Sequence, residues 1–298
     1  MLMSNRSDAN QITRDYFESL LIEMRHMDGV LPDTSFELFG EKFDTPIMMA
    51  ALSHLNSCCD DGMAEMARGA KAAGAVNWAG MGDIAELEGI CKTGARTIKI
   101  VKPYVSDDEI MERLEHAEKN GCFAVGMDID HSFSGRGEYD VVLGLHMEPK
   151  SQQQMKRFVS ATKLPFVVKG VLSVTDAKKC VDIGAKAIVV SHHHGILPYA
   201  VPPLMVLPDI VKVVGGQVKI FVDCCVESGY DAFKALALGA DAVCAGRVIM
   251  DPLRKEQAEG VRKDILRMNA ELKGTMARTG CAKLSDIDSS MLHQRLGW

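Results

Sequence analysis

Residues 164–195 read LPFVVKGVLSVTDAKKCVDIGAKAIVVSHHHG. Two apolar runs, Pro165–Lys169 and Ala187–Val190, flank the amphipathic stretch Val174–Ile183. The runs are too apolar for half-exposed strands and too short for buried helices, which suits a parallel sheet covered on its outer face. Ile183-Gly184 places glycine where a left-handed helix C-cap is needed, and an apolar strand follows within a few residues. The segment therefore reads as one strand–helix–strand unit, ending in three consecutive histidines.

The unit repeats along the chain. Further strand candidates are Pro46–Ala50, Ala75–Trp78, Thr97–Val101, Ala124–Ile129, Lys219–Val222 and Ala242–Ala245. Helical patterns cover Asp107–Asn120, Gln152–Thr162 and Ser228–Leu238, and the pairs Asn120-Gly121 and Leu238-Gly239 repeat the glycine cap. Eight strand–helix units predict an α/β chain folded as a (β/α)8 TIM barrel; a doubly wound sheet is the competing reading. The barrel is expected over about residues 45–250, with a short N-terminal extension and a C-terminal helical tail at 251–298. No linker interrupts the pattern, so residues 1–298 read as one domain.

Bulk properties narrow the function. The 298 residues are 47% hydrophobic and 25% charged, enough for a sizeable core. A net charge of −6 argues against nucleic-acid binding, which usually needs a basic face. No run approaches the ~20 apolar residues of a membrane span, and the polar start MLMSNRSDANQITRDYF has no signal-peptide core. The nine cysteines are scattered, form no C-x-x-C motif, and include the adjacent pairs Cys58-Cys59 and Cys224-Cys225. They read as reduced thiols, and the location as cytoplasmic. The 18 methionines read as adaptable core filling.

A barrel carries its active site at the C-terminal ends of its strands. That rule selects Ala51–His54, Asn77-Trp78, Lys99 or Lys102, Asp128, Asp130, Lys169, Ser191–His194, Asp223 and Gly246-Arg247. Asp128 and Asp130 alternate in MDID and so face one side. The histidine run reads as a catalytic base, as substrate or loop contacts, or as a metal site. Successive side chains of an extended segment point to opposite sides, so three adjacent histidines do not readily share one ion. Zinc would need help from Asp128, Asp130 or His131, and no metal is assigned. For Lys169 the alternative to function is a structural ion pair, for the two aspartates a helix cap, and for Gly246-Arg247 a left-handed turn with a surface arginine.

Four stretches carry a family resemblance: 164–195, FVDCCVESGYDAFKALALGADAVCAGR (221–247), TPIMMAALSH (45–54) and MARTGCAKLSDID (276–288). Together they resemble the FMN-dependent 2-hydroxy-acid dehydrogenase and oxidase family, a (β/α)8 barrel. The resemblance implies FMN as cofactor, a small-molecule substrate and a homo-oligomer, tetramer or octamer. It implies that His193 is the base, Asp130 its partner, and Lys169 the cation beside the flavin N1–C2 edge. It places Gly246 and Arg247 at the phosphate, with the loop Asp223–Glu227, including Cys225, as the other half of that site. Ala51, Leu52 and Ser53 would lie on the flavin N5 side, and Ser191 is counted with the cofactor contacts. The chemistry is sound on its own terms. Imidazole, with an unperturbed pKa of ~6.5, suits proton abstraction at neutral pH, and a carboxylate stabilises the imidazolium that forms.

The sequence also departs from the family pattern. Ile196 stands where the family has an arginine that grips the substrate carboxylate, and His192 and His194 replace an asparagine and a glycine. Tyr199 replaces an aspartate, Cys224 and Cys225 replace glycines, and Glu227 replaces an arginine. Losing one bidentate arginine removes about 1.5–3 kcal/mol of charge-assisted bonding. Arg136 in the loop after strand 4 is the candidate substitute, with His192 as a second substrate contact. The leading expectation is FMN-dependent oxidation of a small 2-hydroxy acid or related alcohol. The alternatives are a flavin-dependent isomerase of the type 2 isopentenyl diphosphate isomerase kind, a metal-dependent non-flavin lyase or epimerase, and an FMN-holding protein without turnover.

Overall fold

The computed structural model describes residues 6–295. Eight parallel strands form one sheet: β1 Ile47–Met49, β2 Asn77–Ala79, β3 Thr97–Val101, β4 Ala124–Asp128, β5 Phe166–Val171, β6 Ala187–Val190, β7 Lys219–Val222 and β8 Ala242–Ala245. They neighbour one another in chain order, and β8 returns to pair with β1. The Met49 amide donates to the Val76 carbonyl at 3.0 Å, which closes the ring beside β2. The strands alternate with α1 Gly62–Ala72, α2 Ile84–Lys92, α3 Asp107–Lys119, α4 Gln152–Ser160, α5 Val174–Asp182, α6 Pro203–Val214, α7 Gly229–Ala237 and α8 Met250–Thr279. This is the (β/α)8 barrel, and closure excludes the doubly wound sheet.

β3, β6, β7 and β8 begin and end at the expected residues. β4 stops at Asp128 because Ile129 already turns helical, at φ −101° and ψ −14°. The capping glycines Gly121, Gly184 and Gly239 adopt φ of +74°, +87° and +100°, the left-handed geometry expected of them. The helix after β8 packs on α1 and α7 and completes the outer ring, so the barrel runs on beyond residue 250.

Strand alternation decides what fills the barrel. Met48, Trp78, Ile98, Ile100, Val167, Val189, Phe221 and Cys244 point inward and form its apolar core. Trp78 meets Phe221 edge-on at 6.0 Å, so it is a packing residue. A hairpin of Phe36–Leu38 and Glu41–Phe43 joins this cluster with Phe123 and plugs the N-terminal end. Continuing the same parity toward the C-terminal mouth replaces the apolar layer by Lys102, Asp128, Lys169 and Asp223, all buried. The step from hydrocarbon to charge inside the barrel marks the site.

Candidate active site

The charged layer is self-compensating. Asp128 accepts from Lys102 Nζ at 2.7 Å through Oδ2, and its Oδ1 lies 3.3 Å from Lys169 Nζ. Asp223 flanks the same ammonium at 3.6 Å. Burial opposes charge on Lys169, yet Asp128, Asp223 and Asp130 hold its pKa well above the usual lysine value. Burial likewise opposes charge on Asp128, but Lys169, Lys102 and His193 hold that carboxyl far below the usual range. Asp128, Asp130 and His193 bring ligand-type atoms within 4.8 Å of one another. The Lys169 ammonium, 3.2 Å from His193 Nδ1, already supplies the positive charge there. Lys99, one residue out of phase, points out of the barrel interior and donates to the Gly80 carbonyl. Its burial pushes its pKa down to about 8.

The loop after β6 splits the three histidines. His193 and His194 adopt left-handed φ of +48° and +57°, so the three side chains diverge. His192 is 2% exposed, with Nε2 bonded to Thr13 Oγ1 at 2.8 Å and Nδ1 accepting the Gly195 amide at 2.9 Å. Both of its nitrogens are engaged with protein, so it anchors the loop and does not face substrate. His193 turns the other way. Its Nδ1 meets Asp130 Oδ1 at 2.8 Å, and its amide donates to Ser191 Oγ at 3.0 Å. Its Nε2 lies 3.0 Å from Nε2 of His131, whose Nδ1 meets Asp140 Oδ2 at 2.9 Å. His131 stands beside the two aspartates in MDIDHS, but only the fold reveals that it touches His193.

A cavity of about 300 Å³ opens above this layer. Lys169 and His193 line its base, Ala51, Leu52 and Ser53 one wall, and the Asp223–Glu227 loop with Gly246 and Arg247 the other. Ser191 is buried beneath it and steadies the loop. Arg136 is exposed in the loop after β4, outside the lining, because that loop folds back on itself through Ser134. The expected substitute for the missing arginine is therefore not at the cavity. Cys224 and Cys225 take φ of +68° and +60°, reproducing with side chains a backbone that glycine adopts freely.

The lining fits a planar ring system with an anionic tail. Lys169 offers a buried positive charge at the base. Arg247 is exposed on the rim, makes no ion pair among the described residues, and opens the helical turn Arg247–Ile249. Glu227 opposes these two donors from the facing loop. Bound FMN would meet Lys169 and Arg247 as the two cations of this lining, with Arg247 the one that could hold a phosphate.

Comparison with known proteins agrees with this geometry. The family described as FMN-dependent dehydrogenase matches residues 3–157 and 150–294. Glycolate oxidase 3 of Arabidopsis thaliana is 29% identical over 97% of this chain and 88% of its own length. Glycolate oxidase 1 of Oryza sativa subsp. indica is 30% identical over 94% and 86%. A solved mandelate oxidase mutant carrying a monooxide FMN adduct superposes with a TM-score of 0.88 at 29% identity, covering 99% of this chain and 93% of that one. Cavity, charged layer and sequence match converge: the chain belongs to the FMN-dependent dehydrogenase family.

Proposed function

We propose that this protein oxidises a small 2-hydroxy acid, with His193 as the base. The carrying observation is the 2.8 Å contact between His193 Nδ1 and Asp130 at the floor of the FMN cleft. Asp130 fixes the Nδ1–H tautomer, so Nε2 is the basic nitrogen, and it stabilises the imidazolium formed when the substrate hydroxyl gives up its proton. Bound FMN supplies the acceptor for the hydrogen and electron pair that leave the substrate carbon. Lys169 holds a buried positive charge at the cavity floor, where it would stabilise electron density gathered on the bound cofactor. The relatives named for glycolate and mandelate, together with an L-lactate oxidase of Roseobacter sp. (strain GAI101) that is 37% identical over 52% of this chain, support a 2-hydroxy acid as substrate.

Anaerobic addition of glycolate, lactate or mandelate to the purified yellow protein should bleach the flavin absorbance. His193→Ala should retain the flavin and bleach at least ~10²-fold more slowly. Full bleaching rates in that variant would remove His193 from the role. The same reading places the protein in the cytoplasm as a homo-oligomer, tetramer or octamer, supported by its free thiols and by the family resemblance. Light scattering should then give a mass of four or eight chains, and a monomer would refute the assembly.

A further inference from the structure

Among the described residues, once Arg247 is given to the cofactor phosphate, the cavity keeps no uncommitted cation for a substrate carboxylate. Lys169 and Lys102 are held by Asp128 and Asp223, Arg136 lies outside the cavity, and Arg247 sits on the loop after β8. Two facing imidazoles offer one: His193 lines the cavity, and His131, itself outside the lining, touches it. His131 and His193 meet Nε2 to Nε2 at 3.0 Å, with ring centroids 4.2 Å apart and planes at 80°. Each Nδ1 faces a carboxylate, Asp130 at 2.8 Å and Asp140 at 2.9 Å, so each ring carries its Nδ1 proton. Lys169 also lies 3.2 Å from His193 Nδ1, but its charge is satisfied by Asp128 and Asp223, and the nearer Asp130 requires a donor. Two bare Nε2 lone pairs would repel at 3.0 Å. The contact is a hydrogen bond only with one proton between them. With that proton in place the pair is one imidazolium and one neutral imidazole.

We propose that His131 recognises the substrate carboxylate, and that the arriving anion draws the shared proton from His193 Nε2 to His131 Nε2, leaving His193 free to act as base. One N–H bond breaks, one forms, and the charge of the pair is unchanged. The substrate hydroxyl then gives its proton to the vacated His193 Nε2. Adjacent oxygens on neighbouring carbons suit two adjacent ring nitrogens, which ties the site to 2-hydroxy acids. Without ligand the surroundings act against charge on His131. Burial comes first, then Lys102 from β3 and His193 from the β6 loop; Asp140 on its own loop and Asp128 from β4 work the other way. An anion at hydrogen-bond distance reverses that balance. This inference rests on the proposed 2-hydroxy-acid oxidation.

The test compares a 2-hydroxy acid with its neutral 2-hydroxy amide, first in the wild type and then in His131→Asn. Calorimetric binding of the matching 2-oxo acid to the oxidised holoprotein gives a second readout. In His131→Asn, KM for the acid and Kd for the 2-oxo acid should rise roughly 10- to 100-fold, while KM for the amide changes less than about threefold. Asp140→Asn, which frees the His131 ring, should shift the same ratios in the same direction by a smaller factor. It also serves as the second variant should His131→Asn lose its flavin. Unchanged acid-to-amide ratios in both variants, with wild-type turnover intact, overturn the role of His131 alone. A wild type that no 2-hydroxy acid bleaches overturns the functional reading, and this inference with it.

Discussion

The Lys102–Asp128 pair shows how a single residue can decide both stability and site. Both side chains are less than a tenth exposed and 2.7 Å apart. Two buried charges cost several kcal/mol each to desolvate, and their attraction repays this only while both are present. Lys102→Met should therefore lower stability by about 3 kcal/mol, read as a drop in thermal midpoint, because Asp128 Oδ2 loses its partner and only Oδ1 keeps neighbours, Lys169 and His193. Adding Asp128→Leu should recover part of that loss, since Lys169 retains Asp223. Additive losses in the double variant would show that the two residues do not interact. Much at this scale was legible in the sequence. The alternation in MDID put Asp128 and Asp130 on one side, and a lysine ending an apolar strand pointed at Lys169. The histidine run was legible only as a set of options. The left-handed backbone at His193 and His194 turns their side chains away from His192, and nothing in the residues HHH encodes that turn. His131 was equally hidden, because its role depends on a partner 62 residues away.

At the scale of elements, β5 carries the geometry of the base. Its pairing with β6 slips between Lys169 and Val171, a bulge centred on Gly170 at φ +91°. The bulge lets Lys169 face the cavity floor while Asp130 lies directly against Gly170, where a Cβ would come within 2.4 Å of the carboxyl group. Gly170→Ala should displace Asp130 from His193 and impose a left-handed penalty of about 1–2 kcal/mol. Turnover should fall by more than ~10-fold with little change in flavin content; equal turnover would mean that Asp130 does not need its place against the bulge. The N-terminal helix Ala9–Ser19 is a second such element. Through Thr13 it holds His192, and through Arg14 it binds Asp231 bidentately and the Cys225 carbonyl, so one helix clamps the loops after β6 and β7. Arg14→Ala should weaken FMN retention more than it lowers the thermal midpoint, measured as flavin released on dilution. A midpoint that collapses with flavin retained would assign Arg14 to the fold alone. Periodicity located all eight barrel strands, since each is a local apolar run, and gave β3, β6, β7 and β8 to the residue; β2 starts at Asn77, two residues later than its apolar run. The clamp was not readable, because Thr13 and His192 are 179 residues apart and no local pattern joins them.

For the whole molecule, the titrating groups set the pH at which the fold is firmest. Burial lowers the pKa of His131, His192 and His194. Below about 6.5 the unfolded chain takes up protons that these rings resist, so stability falls with pH there. Asp128, held low by Lys169 and Lys102 against its burial, adds a further loss below about 3.9. On the alkaline side, burial pushes the Cys180 thiol up to about 12 and Cys225 up to about 11, and raises Cys224 and Cys244 as well. Above about 8.5 the unfolded chain ionises these thiols while the folded protein does not, and stability falls again. Lys99 opposes that limb, because it loses its proton near 8 when folded and keeps it to about 10.4 when unfolded. Lys234, lowered by burial, and Cys91, lowered by its hydrogen bond with Cys122, act with Lys99. Cys59, Cys122 and Cys281 are raised as well, so seven thiols outweigh three opposing groups and the net slope stays downward. The thermal midpoint of the holoprotein should thus be highest between about pH 6.5 and 8.5 and decline on both sides. His192→Gln, which removes a buried imidazole, should flatten the decline from pH 7 to 5, and Cys180→Ala the decline above 8.5. A midpoint that holds level from pH 7 down to 5 would show that the buried histidines protonate as readily in the fold as in the open chain. The anchoring of the β6 loop by a neutral His192 would then have to be abandoned.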